Sequence, residues 1–363
     1  MQKHFNNTIK IKQFAILFTA AIFINSCKHG EDQQQETIQM ARELATIDFL
    51  LRNAVFTESI AKAADSSYYA GAGQAAPLFL TPADDTTIIV KTARSEKIAI
   101  KLAGFYALEC GIGLLSAQTN TTPVDWLKKI TEGSVDSNAV LLLNRFANAT
   151  WKAGQPFRDI SRITRASFMG ASSLSKDEVD KDYFQIFHSA RMLLSSMKSV
   201  SDSAMPVQMQ TLRSLLQDTL YAEKLAVFLH SSNDSPGVSP REPFLTVADD
   251  TAVIRKTAKE MKIATSVAGF YALESALNYL VTIKNQVPSA ILKSLLDSSM
   301  SKEDQLLFAR FANATWKAGQ PFRDLNRITR PTFTPFYFLN EADIEKDMVQ
   351  IRAAAARVLT LLQ

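Results

Sequence analysis

Arg145, Asn148 and Lys152 stand at helical spacing within the stretch RFANATWKAGQPFRD, and Arg158, Arg162 and Arg165 follow at intervals of four and three. On a helix such positions share a face, so the first set gathers two cations and an amide, and the second lines guanidiniums into one stripe. A guanidinium is a planar fork of N–H donors that matches a carboxylate or a phosphate. Gln155 adds an amide between the two sets, and Trp151 an aromatic plane with one N–H donor. One chemistry open to this array is an anion pocket: Arg158 and Arg162 grip, Gln155 orients and Trp151 stacks. The other use is structural. Glu109 lies in the apolar run AGFYALE, and Glu58 lies among apolar neighbours on an earlier helix. An unpaired charge in such a setting is costly, and Arg145 or Arg158 reaching these acids would neutralise them in a buried network. That network is the leading expectation.

The whole array occurs twice. RFANATWKAGQPFRD returns letter for letter from Arg310 to Asp324, an offset of 165, and supplies Arg310, Asn313, Trp316, Lys317, Gln320, Arg323 and Arg327. Glu58 and Glu109 return as Glu223 and Glu274. FLTPADDTTIIVKTA from Phe79 answers FLTVADDTAVIRKTA from Phe244, and KDEVDKDYFQI from Lys176 answers EADIEKDMVQI from Glu341. Upstream the likeness thins to little more than Glu58/Glu223 and Ala61/Ala226. So long a period indicates duplicated domains rather than solenoid repeats. The expected division is a first repeat over 41–198, a connector over 199–206 and a second repeat over 207–363.

Both copies read as helical, so the expected fold is all-α: a tandem duplication of a four-to-five-helix bundle with pseudo-twofold symmetry. Apolar spacing predicts a helix over Ala41–Ala64. A second starts at Thr81 (Thr246 in the later copy), where Thr suits an N-cap and Asp84 or Asp249 complements the dipole, and shows no break until about Gln118. A third covers Ser137 to Ala153 and stops at Gly154, with Pro156 beyond it. After a short helix, a last one starts at Ser175 or Asn340, each with an acid three residues on. Nothing alternates with period two, so strands are not required. Lys91, Arg94 and Lys97, matched by Lys256, Lys259 and Lys262, are expected to form a solvated basic face. PTFTPFYF (Pro331 to Phe338) replaces ASFMGASS of the first copy, as a loop packed on the core or a lid over the second corner.

Familiar catalytic constellations are missing. His188 and His230 do not recur and read as surface or packing residues. There is no HExxH, no cysteine pair for zinc, no GxGxxG and no GxSxG, so no metal or cofactor is implied. An enzyme using Glu109 or Glu274 as general base beside an arginine clamp has no nucleophile–base pair to support it. Architecturally the chain resembles the imelysin-like proteins, duplicated helical bundles of the cell envelope, but their GxHxxE signature is absent and that identification is not made.

The first 26 residues carry Lys3, Lys10 and Lys12, then the apolar run FAILFTAAIFI, too short to span a bilayer as a helix. The run ends in INSC, which resembles the lipobox of bacterial lipoproteins. The resemblance implies cleavage after residue 26, lipidation of Cys27, a polar tether over 27–40 and a membrane partner through the lipid. With Lys28 rather than aspartate next, it implies the outer membrane, facing the periplasm or the cell surface. The chain carries a net charge of +4, and the signal's three lysines account for most of it, leaving no electrostatic case for nucleic acid. With Cys27 committed to lipid, Cys110 is left alone and no disulfide framework is possible. The expected function is a membrane-anchored, non-catalytic helical scaffold or binding protein, with a protein partner or a small anionic ligand.

Overall fold

The computed structural model describes residues 31–71, 73–75, 77–232 and 243–363. Cys27 and the signal lie outside the described residues. The chain is mostly helical. In order run α1 (Glu31–Leu51), α2 (Ala54–Gly71), α3 (Pro82–Thr86), β1 (Ile88–Thr92), α4 (Ala93–Thr119), α5 (Pro123–Glu132), α6 (Ser137–Arg158) and α7 (Lys176–Ser196). The second half runs α8 (Met205–Leu216), α9 (Thr219–Ser232), α10 (Val247–Thr251), β2 (Val253–Thr257), α11 (Ala258–Ser266), α12 (Ala268–Lys284), α13 (Pro288–Leu296), α14 (Lys302–Arg323) and α15 (Glu341–Leu362). Single 3-10 turns over Ile160–Thr164 and Leu325–Thr329 follow α6 and α14.

Several boundaries differ from expectation, each for a local reason. The single helix over Ala41–Ala64 is two, because Asn53 Oδ1 accepts from the N–H of Phe56 and starts α2 afresh. The stretch from Glu31, expected as tether, forms the first turns of α1, exposed from Gln33 to Ile38. The helix expected from Thr81 to Gln118 is cut by a strand. Ile88, Ile89 and Val90 are β-branched, which suits an extended chain better than a helix. They pair antiparallel with Val253–Thr257, and Val90 sits opposite Arg255. Strands of five residues, each paired with one about 165 positions away, leave no readable alternation in the sequence. In the second half the long helix also breaks at Val267, where Thr265 Oγ1 has bonded back to the Met261 carbonyl, a contact that bends helices.

The helix expected to stop at Gly154 continues through Gly154 and Pro156 to Arg158. The chain turns at Asp159, whose N–H still reaches the Gln155 carbonyl at 3.1 Å. Gly154 serves close approach instead: a Cβ there would lie 2.8 Å from the Phe322 ring, and one on Gly319 would lie 2.7 Å from the Phe157 ring. Capping boxes form at Thr81 and Ser175, while Asn340 caps its helix through its side chain alone, accepting from the Asp343 N–H.

One apolar core draws on both halves, with Leu102, Phe105 and Phe146 beside Phe270, Leu277 and Phe311. At its centre α4 and α6 pack on α12 and α14. Among the described residues α4 is long and apolar enough to cross a membrane, and here it is the buried core helix. Phe146 stacks on Phe311 at 3.9 Å with planes 5° apart, and Phe157 faces Phe322 at 6.0 Å and 8°. Element ends recur at the sequence offset even where likeness fades. α1 and α8 end at Leu51 and Leu216, and α2 and α9 begin at Ala54 and Thr219. The PTFTPFYF loop packs inward: Phe333 meets Tyr106 edge-on at 5.4 Å, while Tyr337 stays exposed.

Candidate functional site: two buried ion pairs and two arginine corners

The glutamates in the apolar runs do find cations, and the cations come from the other half. Lys152 on α6 bonds Glu274 on α12, and Lys317 on α14 bonds Glu109 on α4. Both lysine side chains are fully enclosed. Of the arginines expected in that role, Arg158 bonds Gln155 instead, and Arg145 supports Glu274 without bonding it. Arg145 is buried within electrostatic reach of Glu274 and Asp182, burial draws its guanidinium down to about 10, and its Nε has no partner. Arg310, its counterpart, lies with its guanidinium 4.3 Å over the ring of Phe336. Lysine suits the direct bond for a physical reason: a compact ammonium on a four-carbon stem needs less room between close helices than a planar fork. Burial disfavours the Lys317 ammonium, and the Glu109 charge with a hydrogen bond to Cys110 Sγ outweighs that and holds it charged.

Each carboxylate has further company. Glu274 Oε2 accepts from Ser275 Oγ at 3.1 Å, and Oε1 accepts from the Ala171 N–H at 2.6 Å. Glu109 Oε2 accepts from Cys110 Sγ at 3.2 Å, while its Oε1 has no partner. Asn148 hydrogen-bonds Asp182, and Asn313 Nδ2 donates to Asp347 Oδ2 at 3.5 Å. Burial pushes both aspartic acids up to about 7. Asp182 and Asp347 are not among the residues that motif spacing singles out, although they recur at the repeat offset within DKDYFQI and EKDMVQI. That recurrence was the available signal.

The corners form as side-chain clusters. Gln155 Oε1 accepts from Arg158 Nη1 at 3.2 Å and from Arg162 Nε at 2.7 Å, while Gln155 Nε2 donates to the Trp151 carbonyl. Gln320 does the same for Arg323 at 3.5 Å and Arg327 at 2.6 Å, and donates to the Trp316 carbonyl. The two indoles pack on Phe168 and Phe333, so their planes serve the core. Glu58 pairs with Lys62 on its own helix, and Glu223 pairs with Arg94; each side chain keeps about a third of its surface, so neither is a buried acid.

The basic ridge stays partly solvated, and Arg94, Lys97, Lys259 and Lys262 also pair with acids of the other half. Lys97 pairs with Asp249 at 2.6 Å and Lys262 with Asp84 at 2.8 Å. Asp84 thereby caps α3 through the Thr81 N–H and carries a cross-half ion pair, and these contacts hold its carboxyl down at about 2. His188 packs on Phe184, and His230 on Phe244. The buried Cys110 thiol is pushed up by burial and by the Glu109 charge, so it does not supply a thiolate nucleophile. Among the described residues no group of His, Cys, Asp and Glu is placed to hold a metal ion.

Fold and site together define a mostly helical protein whose two halves exchange buried charges. No protein-family model, curated protein or solved structure matches the chain.

Proposed function

We propose that the chain is a lipid-anchored lipoprotein of the bacterial outer membrane and that its mature part is a non-catalytic helical scaffold. It is a tandem duplication folded about a pseudo-twofold axis, and RFANATWKAGQPFRD is the joint between the copies. The observation that carries this reading is the reciprocal exchange of Lys152–Glu274 and Lys317–Glu109. Contacts between equivalent positions support the axis: Val90 with Arg255, Phe146 with Phe311 and Phe157 with Phe322. Glu43 accepting from the Ser289 N–H, and Gln208 from the Val124 N–H, extend the same exchange to helices whose sequences have diverged. A joint explains why the corner has kept its letters while helix one has not. Phe146, Lys152, Gly154 and Phe157 each meet a residue of the other half, so a change at any of them strands a partner.

The anchor rests on the INSC motif. Replacing Cys27 with Ser should release the protein from the membrane fraction and abolish palmitate labelling; retention of both would overturn the anchor. Protease access in intact cells then separates a periplasmic from a surface-facing scaffold. For the joint, a double-mutant cycle on Lys317→Met and Glu109→Leu should show each single change costing about 3–5 kcal/mol and the pair costing far less than their sum. Additive or negligible costs would remove the joint reading. The other expectation, a small anionic ligand, is carried by one difference between the corners.

A further inference from the structure

The two corners share their arginines, glutamine and aspartate but not their surroundings. At the first, Glu96 on α4 lies within electrostatic reach of Arg158 and Arg162, and Lys256 from β2 faces both Glu96 and Asp159. At the second, the residue at the same repeat position is Met261, buried against Ala99, Phe157, Ala264 and Phe322. Lys91 from β1 faces Arg323, Arg327 and Asp324, as Lys256 does at the first corner. The cations are therefore matched and one carboxylate is gone.

The remaining acid at the second corner is already engaged. Asp324 caps the 3-10 turn, its Oδ1 accepting from the Asn326 N–H at 2.9 Å. Among the described residues no carboxylate is in ion-pair contact with the arginines of either corner; Glu96 acts on Arg158 and Arg162 from within electrostatic reach, and at the second corner only Asp324 acts so, on Arg327. Arg323 and Arg327 are half-buried and converge on a single oxygen, Gln320 Oε1, which uses two N–H groups and leaves the remaining guanidinium donors of both side chains available. Holding like charges together in a half-dry site is unfavourable without a counter-charge. Burial and the neighbouring arginines draw Arg323 down to about 10; burial draws Arg158 down as well, but there Glu96 opposes the shift.

We propose that Arg323, Arg327 and Arg330, with Lys91, bind a small oxyanion, a carboxylate or a phosphate group, whose charge takes the place that Glu96 fills at the first corner. The repeated motif then has one use as a joint in both copies and a second use as a site in one. Gln320 Oε1 draws the two guanidiniums together, and Met261, packed on Phe322 beside Arg323, stands where the first half has an acid. The first corner carries its own anion and stays closed to another.

The test uses the full chain, titrated with inorganic phosphate in one arm and acetate in the other, with sodium chloride holding ionic strength constant. Melting temperature and calorimetric binding are read together. At least one arm should give a saturable rise in melting temperature, and the responding arm assigns phosphate or carboxylate. Arg327→Gln should weaken that binding about tenfold or more. Glu96→Met should open a second site of similar affinity at the first corner. Met261→Glu should raise the melting temperature without added anion and abolish the response. Should that buried substitution prevent folding, Arg327→Gln and Glu96→Met decide the matter alone. No response in either arm, or an undiminished response in Arg327→Gln, overturns the proposal. None of these variants touches Lys152–Glu274 or Lys317–Glu109, so failure here leaves the joint standing.

Discussion

Glu274 and Glu109 sit at equivalent positions, each bonded to the lysine of an identical fifteen-residue segment, yet the two buried sites are not equally complete. Around Glu274 both carboxylate oxygens are used, by Lys152, Ser275 and the Ala171 N–H. Around Glu109 one oxygen is idle, and so are Nε and Nη1 of Arg310. The cause lies outside the repeated letters. In the first half Gly170 and Ala171 bring backbone N–H groups inward, to Asp48 and to Glu274. In the second, Pro335 and Phe336 hold those positions: proline has no N–H, and the Phe336 ring lies on Arg310 instead. Asp48 is replaced in step by Arg213, whose guanidinium stacks on Phe338 at 5.5 Å. The first half meets Glu274 with a backbone hydrogen bond, and the second covers Arg310 with an aromatic ring. A motif can thus be conserved to the letter while its site is decided by the loop laid over it.

Breaking the carboxylates one at a time is the largest test of that difference. Glu274→Gln and Glu109→Gln each leave a buried ammonium without its counter-charge, at a cost of about 3–5 kcal/mol. Glu274→Gln also weakens a charge-assisted bond from a buried N–H, so it should cost roughly 1 kcal/mol more. Urea unfolding of the two variants decides the point. Equal losses, or a larger loss at Glu109, would mean that the idle oxygen is not idle in solution.

Next in size is a pH effect that the two halves should share. Asp182 and Asp347 titrate near 7 in the folded chain, above the ordinary carboxylate value, because burial disfavours their charge. The folded state therefore holds more protons than the unfolded state between about pH 4 and about pH 7. Their contribution is fully favourable at the acid end of that window and is lost as pH rises through it, on the order of 2–4 kcal/mol per group. Asp182→Asn combined with Asp347→Asn should flatten the stability profile over this range. A profile that keeps its slope in the double variant would assign the titration to other groups.

These contrasts mark what was legible in the residues themselves. Local signals were readable: the caps at Thr81, Ser175 and Asn340, the helical class, and the buried glutamates of AGFYALE, whose cost follows from their neighbours. Pairings across the chain were not. Lys152 was on the right face, but nothing in a single strand of letters says that Glu274, rather than a residue of its own half, lies opposite. The strand at Ile88 and the continuation of α6 past Gly154 fail for the same reason. Both are set by a partner segment about 165 residues away, β2 in one case and the ring of Phe322 in the other. Glycine followed by proline reads as a stop, whereas here the glycine makes room for a ring.

That ring offers a place where the halves should respond alike. A Cβ on Gly154 would meet Phe322 at 2.8 Å and one on Gly319 would meet Phe157 at 2.7 Å, both too close without movement. Gly154→Ala and Gly319→Ala should each cost about 1–3 kcal/mol, with the two values agreeing. A large disagreement would show that the stacked rings are held more firmly from one side, and the comparison of the halves would then extend to their central contact.

The smallest expected effect asks whether chemistry alone separates the two carboxylate sites. Cys110 and Ser275 are equivalent in the repeat, and both donate to the neighbouring glutamate, at 3.2 Å and 3.1 Å. Cys110→Ser exchanges a weak S–H donor for a hydroxyl beside a charged oxygen, which is favourable, but removes volume from a fully buried position. These effects oppose each other, so the net change should stay within about 1 kcal/mol. Ser275→Cys has no such balance: it weakens the bond and adds bulk at a site whose oxygens are already in use, and it should destabilise by about 1–2 kcal/mol. If the exchanges instead prove equal, the hydrogen bond from this residue contributes the same in both halves. The difference between the sites would then rest wholly on the Ala171 N–H and on what Phe336 has put in its place.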